Sequence, residues 1–208
     1  MTLGGNMTTS WQDSIPQRKM RSVQLATALF SLARFYVESP HSDVLARFTD
    51  PDMASTWPLR DAASLAALAD LAAAGESAFV LNAEFNALFG PDGSLWMTES
   101  EMTGKDPLPL VQCLARQYKA AGFAAQKTEG FPRDHLAVEL SFLAHLVVRA
   151  GDGVVAEIAQ FRADHLDQYA DTLLDAIDAA ATTVTYRAVA QLTRAALAGV
   201  KELTNNDD

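Results

Sequence analysis

The sequence predicts an all-α fold, built as a single-domain helical bundle. Apolar residues recur every three or four positions in nearly every periodic segment of the 208-residue chain, which is the spacing of one helix face. Clusters of β-branched residues bounded by turns, which would indicate strands, are missing apart from the short stretch 182–185. Hydrophobic residues make up 49% of the chain, enough for one substantial core without disulfides or structural metals.

Proline, glycine and capping residues divide the chain into helices. Pro40 ends the first helix, Pro58 has the fixed φ expected where a helix opens, and Gly75 ends the alanine-rich helix that follows. Asp106 and Pro107 form an N-cap and first-turn pair. The predicted helices span residues 17–38, 43–48, 58–74, 76–89, 106–121 and 132–149, a segment from 155 that bends near Asp167, and a last helix capped by Thr182 or Thr183.

One folded domain is expected over residues 16–203. Residues 1–15 and 204–208 are polar and lack periodicity, which predicts disorder at both ends. The helix at 132–149 carries apolar residues at almost every angular position, so we expect it to be the central and most buried helix. The longest stretch without helical periodicity is 90–105, and loops of this length in a compact domain are often functional.

Charge and cysteine content exclude several function classes. The net charge of -10 is unfavourable for binding nucleic acid or an anionic membrane surface. Cys113 is the single cysteine, which excludes an intramolecular disulfide and cysteine-rich zinc or iron–sulfur sites. Neither a secretory signal pattern nor an apolar run long enough for a bilayer occurs, so we expect a soluble cytoplasmic protein without membrane insertion.

The sequence predicts no enzyme. It contains no phosphate-binding loop, dinucleotide fingerprint, zinc-protease helix or nucleophile elbow, so we predict no catalytic residues and no cofactor. His135 and His145 fall on different sides of the predicted helix, so no metal site is predicted either.

A first candidate motif ends the helix 76–89. Phe85, Leu88 and Phe89 form a large apolar tip that Gly90 and a following proline stop, although ordinary core packing would give the same spacing. Trp96 lies in the glycine-bounded loop that follows. It is either an anchor on a binding surface or a residue that packs the loop onto the body of the protein.

A second candidate motif opens the predicted central helix. Asp134 and His135 follow Pro132, in the first turn. At an exposed helix start, this carboxylate and imidazole could accept hydrogen bonds from guanidinium groups or a peptide backbone. Glu139, one turn later, would add negative charge on the same face. The alternative is local: an acid in the first turn complements the free backbone N–H groups there.

The order and spacing of these motifs resemble the TorD/DmsD/NarJ family of redox-enzyme maturation chaperones. The family shows an aromatic-x-x-Leu-Phe segment before a proline, then a Pro-x-Asp-His helix start, and later a Phe-x-x-x-His-Leu segment. The chain departs from this pattern at Phe131, where family members commonly have an acidic residue. The resembling segments are 85–91, 104–107 with 118–122, 132–140, 161–169 and 186–188.

This resemblance implies an all-helical cytoplasmic chaperone, with neither catalytic activity nor a cofactor. It would bind the twin-arginine signal peptide and the apo form of a molybdopterin oxidoreductase, as a monomer or a homodimer. Apolar parts of the peptide would lie against aromatic side chains, and its arginines would meet Asp134 or Glu139. The candidate signal-peptide-binding residues are Phe85, Leu88, Phe89, Trp96, Pro132, Asp134, His135 and Glu139.

Two alternatives remain open from the sequence. A helical regulatory domain that binds a small apolar ligand would have a closed pocket between helices rather than an open groove beside His135. An enzyme with a novel helical site would need clustered titratable groups, of which the sequence offers few.

Overall fold

The computed structural model describes residues 9–50, 52–124, 130–149 and 154–205. Over these residues the regular elements are helices, joined by turns and one isolated β-bridge, which confirms the all-α prediction. The helices are α1 Thr9–Arg34, α2 Ser42–Phe48, α3 Met53–Thr56, α4 Ala62–Ala74, α5 Ala78–Phe89, α6 Glu99–Thr103, α7 Pro107–Ala120, α8 Leu136–Val148, α9 Val155–Asp164, α10 Ala170–Ala180 and α11 Val184–Asn205, with a 3₁₀ turn at Leu166–Gln168.

Helix α8 is the centre of the bundle, as its apolar pattern predicts. Ten of its residues are buried, including Phe142 and Leu143, and its most extensive packing is against α1. Helix α11 packs on α1, α4 and α10. The Tyr36 and Thr193 hydroxyls share a buried 2.8 Å hydrogen bond that joins α1 to α11. The site described below therefore rests on the most buried part of the fold.

Two helices begin later than proline positions predict. Pro58 lies outside α4, which is capped by the Asp61 side chain through a 2.9 Å hydrogen bond from the Ser64 N–H. Pro132 lies in a turn before α8, whose N-cap is His135. In both places a capping side chain, which satisfies free N–H groups, sets the helix start instead of the preceding proline.

The chain ends and the loop 90–105 also differ from the sequence expectation. Helix α1 begins at Thr9, seven residues before the expected domain boundary at residue 16, and α11 continues to Asn205. Residues 1–8 and 206–208 lie outside the described part of the chain. The short helix α6 forms within the predicted loop, because Thr98 caps it through a hydrogen bond from the Glu101 N–H.

The bend predicted near Asp167 is present. Helix α9 ends at Asp164, the 3₁₀ turn follows, and α10 starts at Ala170. His165 sits at the break with a non-helical backbone conformation and a buried side chain. The break therefore turns an imidazole toward the interior.

The start of α11 is held by two carboxylates from the region of α5. Glu84 accepts hydrogen bonds from the backbone N–H groups of Thr182 and Thr183, and Glu76 accepts from those of Val184 and Thr185. Thr183, one of the two predicted caps, also accepts a bond from the Tyr186 N–H. Negative charge at a helix N-terminus is favourable, so these contacts fix α5 against α11.

Candidate functional site

The eight candidate residues fall into two separate groups joined by a loop. Phe85, Leu88 and Phe89 lie at the end of α5, whereas Asp134, His135 and Glu139 lie at or just inside the start of α8. Trp96 is on the loop between α5 and α6, and Pro132 is in the turn before α8.

The apolar tip of α5 is mainly core. The Phe89 ring makes edge-on contacts with the rings of Phe85, Tyr36 and Tyr186, at centroid distances of 5.4 to 5.8 Å. Leu88 is buried, and Phe85 and Phe89 are half-buried. Core packing is therefore the main role of this motif, and the rings support the loop that follows it.

The loop after α5 turns back along the end of that helix. The Ser94 N–H donates to the Ala87 carbonyl and the Leu95 N–H to the Leu88 carbonyl, at 2.9 and 3.1 Å. A Cβ on Gly93 would lie 2.6 Å from the Leu88 carbonyl oxygen. Only glycine allows this close approach without displacing backbone.

The loop is then tied to the start of α8 by an antiparallel bridge between Thr98 and His135. The Glu99 N–H donates to the Asp134 carbonyl at 2.8 Å, and the Leu136 N–H donates to the Met97 carbonyl at 2.9 Å. The backbone on both sides of Trp96 is thus hydrogen-bonded to neighbouring elements.

Asp134 is buried rather than exposed, contrary to the sequence expectation. It is 1% exposed, and its Oδ2 accepts hydrogen bonds from the Ser100 hydroxyl at 2.6 Å and the Ser100 N–H at 3.2 Å. These contacts use the carboxylate to hold the loop. It is not placed to meet an arginine of a bound peptide.

His135 is also buried, and it acts as the N-cap of α8. Its Nδ1 accepts a 3.2 Å hydrogen bond from the Ala137 N–H, and its ring packs against Phe131 at 4.9 Å. Burial lowers the pKa of His135 to about 4, although the neighbouring Asp134 acts in the opposite direction. The imidazole is therefore neutral at neutral pH, and the exposure of His135 expected from the sequence is wrong.

Glu139 is the most buried of the candidate acids. It is 0% exposed, and neither carboxylate oxygen makes a hydrogen bond of good geometry among the described residues, although Tyr169 and Glu99 lie beside it. Burial, followed by the charge of Glu99, raises the pKa of Glu139 well above its ordinary value. Glu139 therefore lies in the interior and not on the exposed face expected from the sequence.

The accessible part of the candidate site is aromatic. The Trp96 side chain is 64% exposed, which fits the interpretation of this residue as a surface anchor. Phe131 is 38% exposed beside His135, and Pro132 is exposed. Asp92, Glu101 and Asp106 are exposed acids on the same part of the chain as Trp96.

Beneath this loop lies a buried polar cluster that motif reasoning missed. His165 donates through Nδ1 to Glu99 at 2.7 Å, and Lys105 donates to the other Glu99 oxygen. Gln117 donates to His165 Nε2 at 3.2 Å. One signal was available: Glu139 interrupts a run of apolar residues in the central helix. Its partners could not be found by spacing, because they come from separate elements.

A cleft elsewhere bears on the alternative of a small apolar ligand. It lies among α1, α4 and α11, has a volume of about 490 Å³, and is lined by the charged residues Arg21, Arg194 and Glu202 together with alanines. It therefore differs from the closed apolar pocket that this alternative predicts.

The fold and the site define an all-helical protein that presents an aromatic surface loop anchored on its central helix. The model of the family described as nitrate reductase delta subunit matches residues 57–175, more than half of the chain, and the chain belongs to this family. It is a family of redox-enzyme maturation chaperones, as the sequence resemblance indicates, which supports a general chaperone role. No curated protein matches the chain.

The matched region contains α4 to α9, so it includes both candidate motifs and the buried cluster. Among the helices of the described residues, none has the length and apolar character needed to cross a membrane.

Proposed function

We propose that this protein is a cytoplasmic maturation chaperone that binds the twin-arginine signal peptide of an apo molybdopterin oxidoreductase. Binding would hold the client until its cofactor is inserted and would assist assembly or export proofreading. Membership of the chaperone family supports the class of function. The exposed Trp96 on an anchored loop is the observation that carries the binding site.

The apolar stretch of the peptide would lie on Trp96, Phe131 and Pro132. An exposed tryptophan offers a large contact area with few rotatable bonds, so its ordering costs little on binding. The hydrogen bonds at Leu95 and Glu99 hold the loop before any ligand arrives, which further lowers that cost.

The arginines of the peptide would meet exposed carboxylates rather than Asp134 or Glu139. Asp92, Glu101 and Asp106 are exposed, and Glu101 is oriented by a 2.6 Å hydrogen bond from the Thr98 hydroxyl. A guanidinium group pairs well with a carboxylate, and the net charge of -10 would attract a cationic leader. In this proposal Asp134 and His135 position the loop without touching the peptide.

A titration with leader peptides tests the proposal. A fluorescently labelled twin-arginine leader from a molybdoenzyme of the same organism is titrated with the wild-type protein, a Trp96→Ala variant and a Phe79→Ala variant. Phe79 is a matched control, since it is an 83% exposed aromatic on α5. We expect saturable binding that Trp96→Ala weakens by about tenfold or more, while Phe79→Ala leaves it unchanged.

The same titration with both arginines of the leader replaced by glutamine tests the charge contribution. We expect weaker binding and a loss of its salt dependence. Absence of saturable binding by the wild-type protein, or equal affinities of the two aromatic variants, would contradict the proposed site.

A further inference from the structure

Three buried side chains from three separate elements converge under the loop that carries Trp96. Glu99 comes from α6, Glu139 from α8, and His165 from the break between α9 and α10. One potential ligand atom from each, a carboxylate oxygen or an imidazole nitrogen, lies within 4.8 Å of the other two. Ligand atoms at about 2 Å from one metal are about 3 to 4 Å apart, so small shifts of these side chains would bring the three atoms onto one ion.

Glu139 gives an independent reason to expect a ligand. It is fully buried, and neither carboxylate oxygen makes a hydrogen bond of good geometry among the described residues, although the Tyr169 hydroxyl and the Glu99 carboxylate lie next to it. Buried polar groups in native proteins are normally satisfied, and a buried carboxylate needs a cation or several donors. The buried Tyr169 hydroxyl lies beside the Glu139 carboxyl group and likewise makes no hydrogen bond of good geometry in the described part of the chain.

The other two side chains are held in place by surrounding contacts. Lys105 and His165 bind different oxygens of Glu99, and Gln117 binds the far nitrogen of His165. Metal-binding histidines commonly have their second nitrogen hydrogen-bonded in this way, which fixes the orientation of the ring. Two of the three side chains are therefore oriented before a cation binds.

We propose that Glu99, Glu139 and His165 bind one divalent transition-metal cation through two carboxylate oxygens and an imidazole nitrogen. The two carboxylates supply negative charge for the cation, although Lys105 already pairs with one oxygen of Glu99. An imidazole ligand favours Zn²⁺, Mn²⁺ or Fe²⁺ over Mg²⁺ and Ca²⁺, which prefer oxygen ligands only. His165 would take its other neutral tautomer, with Nδ1 on the metal and Nε2–H donating to the Gln117 amide oxygen after that amide rotates.

A bound cation would link α6, α8 and the break before α10. Because α6 directly follows the loop that carries Trp96, metal occupancy would stabilise the arrangement that presents this side chain. The metal-binding proposal depends on the buried cluster and not on peptide binding. Either proposal, metal binding or peptide binding, can therefore fail without the other.

Metal binding is tested on the full chain after removal of metals with a chelator. Zn²⁺ and Mn²⁺ are added separately, and bound metal is measured by equilibrium dialysis with elemental analysis. The wild-type protein is compared with Glu139→Gln and with Glu157→Gln, a control glutamate that is exposed on α9. We expect one equivalent in the wild type and in Glu157→Gln, and an affinity at least about 100-fold lower in Glu139→Gln.

No binding of either metal by the wild type at millimolar concentration, or equal affinity in the two variants, overturns the proposal. If Glu139→Gln fails to fold, Mn²⁺ bound to the wild type is examined by pulsed electron paramagnetic resonance. A coupled imidazole nitrogen supports the site, and its absence from a tightly bound ion overturns it.

Discussion

The carboxylate of Asp134 accepts hydrogen bonds from both the hydroxyl and the backbone N–H of Ser100, at 2.6 and 3.2 Å. These residues are 34 positions apart, so the contact joins the loop region after α5 to the start of the central helix. Together with the bridge between Thr98 and His135, it fixes the backbone next to Trp96. The buried acid thus positions an exposed aromatic residue.

Replacing Asp134 with alanine is expected to loosen this loop. The Ser100 N–H would lose the carboxylate that accepts from it, and the Ser100 hydroxyl would keep only its 3.3 Å contact with the Thr98 hydroxyl, which costs about 1 to 3 kcal/mol. Amide hydrogen exchange over residues 94–100 should accelerate, while exchange in α11 stays slow. Asp70→Ala, at an exposed position on α4, serves as the control. Unchanged exchange over residues 94–100 in Asp134→Ala would show that the loop is held by other contacts.

The buried His135 predicts that stability falls on the acid side of neutrality. Its pKa is about 4 in the folded protein, mainly because of burial, against an ordinary value of 6.5. The unfolded chain therefore binds a proton first, and stability that is fully present above pH 6.5 is lost as the pH falls toward 4. The loss amounts to about 2 to 3 kcal/mol.

His135→Asn tests this linkage, because asparagine retains an N-cap acceptor and does not titrate. Free energies of unfolding are measured by urea denaturation at pH 7 and pH 4.5 for both proteins. The wild type should lose about 2 kcal/mol more than the variant between the two pH values. The same acid sensitivity in both proteins would contradict a neutral, buried His135.

Replacing Glu84 with glutamine is expected to destabilise the start of α11. Burial acts to raise the pKa of Glu84, but hydrogen bonds from Thr182 and Thr183 outweigh it and lower the pKa, so the carboxylate is ionised at neutral pH. Its stabilising contribution is present above the ordinary pKa and is lost as the pH falls through the lowered value.

At pH 7 we expect Glu84→Gln to lower the free energy of unfolding by about 1 to 3 kcal/mol, because charged hydrogen bonds to helix N–H groups are lost. Chemical denaturation measures the effect, with the exposed Glu157→Gln as control. Equal stabilities of the two variants would mean that Glu76 alone is sufficient at the start of α11.

Alanine substitutions at two glycines distinguish the effect of backbone strain from the effect of moving the loop that carries Trp96. Gly93→Ala places a Cβ 2.6 Å from the Leu88 carbonyl oxygen, so the loop must move. Gly75 has φ of +60° but open space around a Cβ, so Gly75→Ala adds backbone strain without a clash. Both variants should lower the melting temperature, but only Gly93→Ala should weaken leader binding. Equal leader affinities would contradict a role for loop position.

Periodicity was sufficient to predict the longer helices and the central place of α8, because apolar residues on every side of a helix can only be satisfied by burial. It did not predict the short helices α3 and α6. The burial of Asp134 and His135 could not be predicted from periodicity. It depends on Ser100 and on the loop that returns to cover the start of α8, and neither follows from spacing within the helix.

The positions at which helices begin were also not fully predictable from local sequence. Pro58 and Pro132 are compatible with a first helical turn, yet Asp61 and His135 further along provide the caps. The exposure of Trp96 fits one of the two interpretations that its place in a glycine-bounded loop left open. The convergence of Glu99, Glu139 and His165 required the fold itself.

The most direct test of the proposed function is site-specific photo-crosslinking of the bound leader. Benzoylphenylalanine is placed at position 96 or, as a control, at position 79, and each protein is irradiated with a saturating twin-arginine leader. We expect a covalent adduct from position 96 and none from position 79. A leader that binds saturably but crosslinks equally from both positions, or from position 79 alone, would contradict binding at the Trp96 surface.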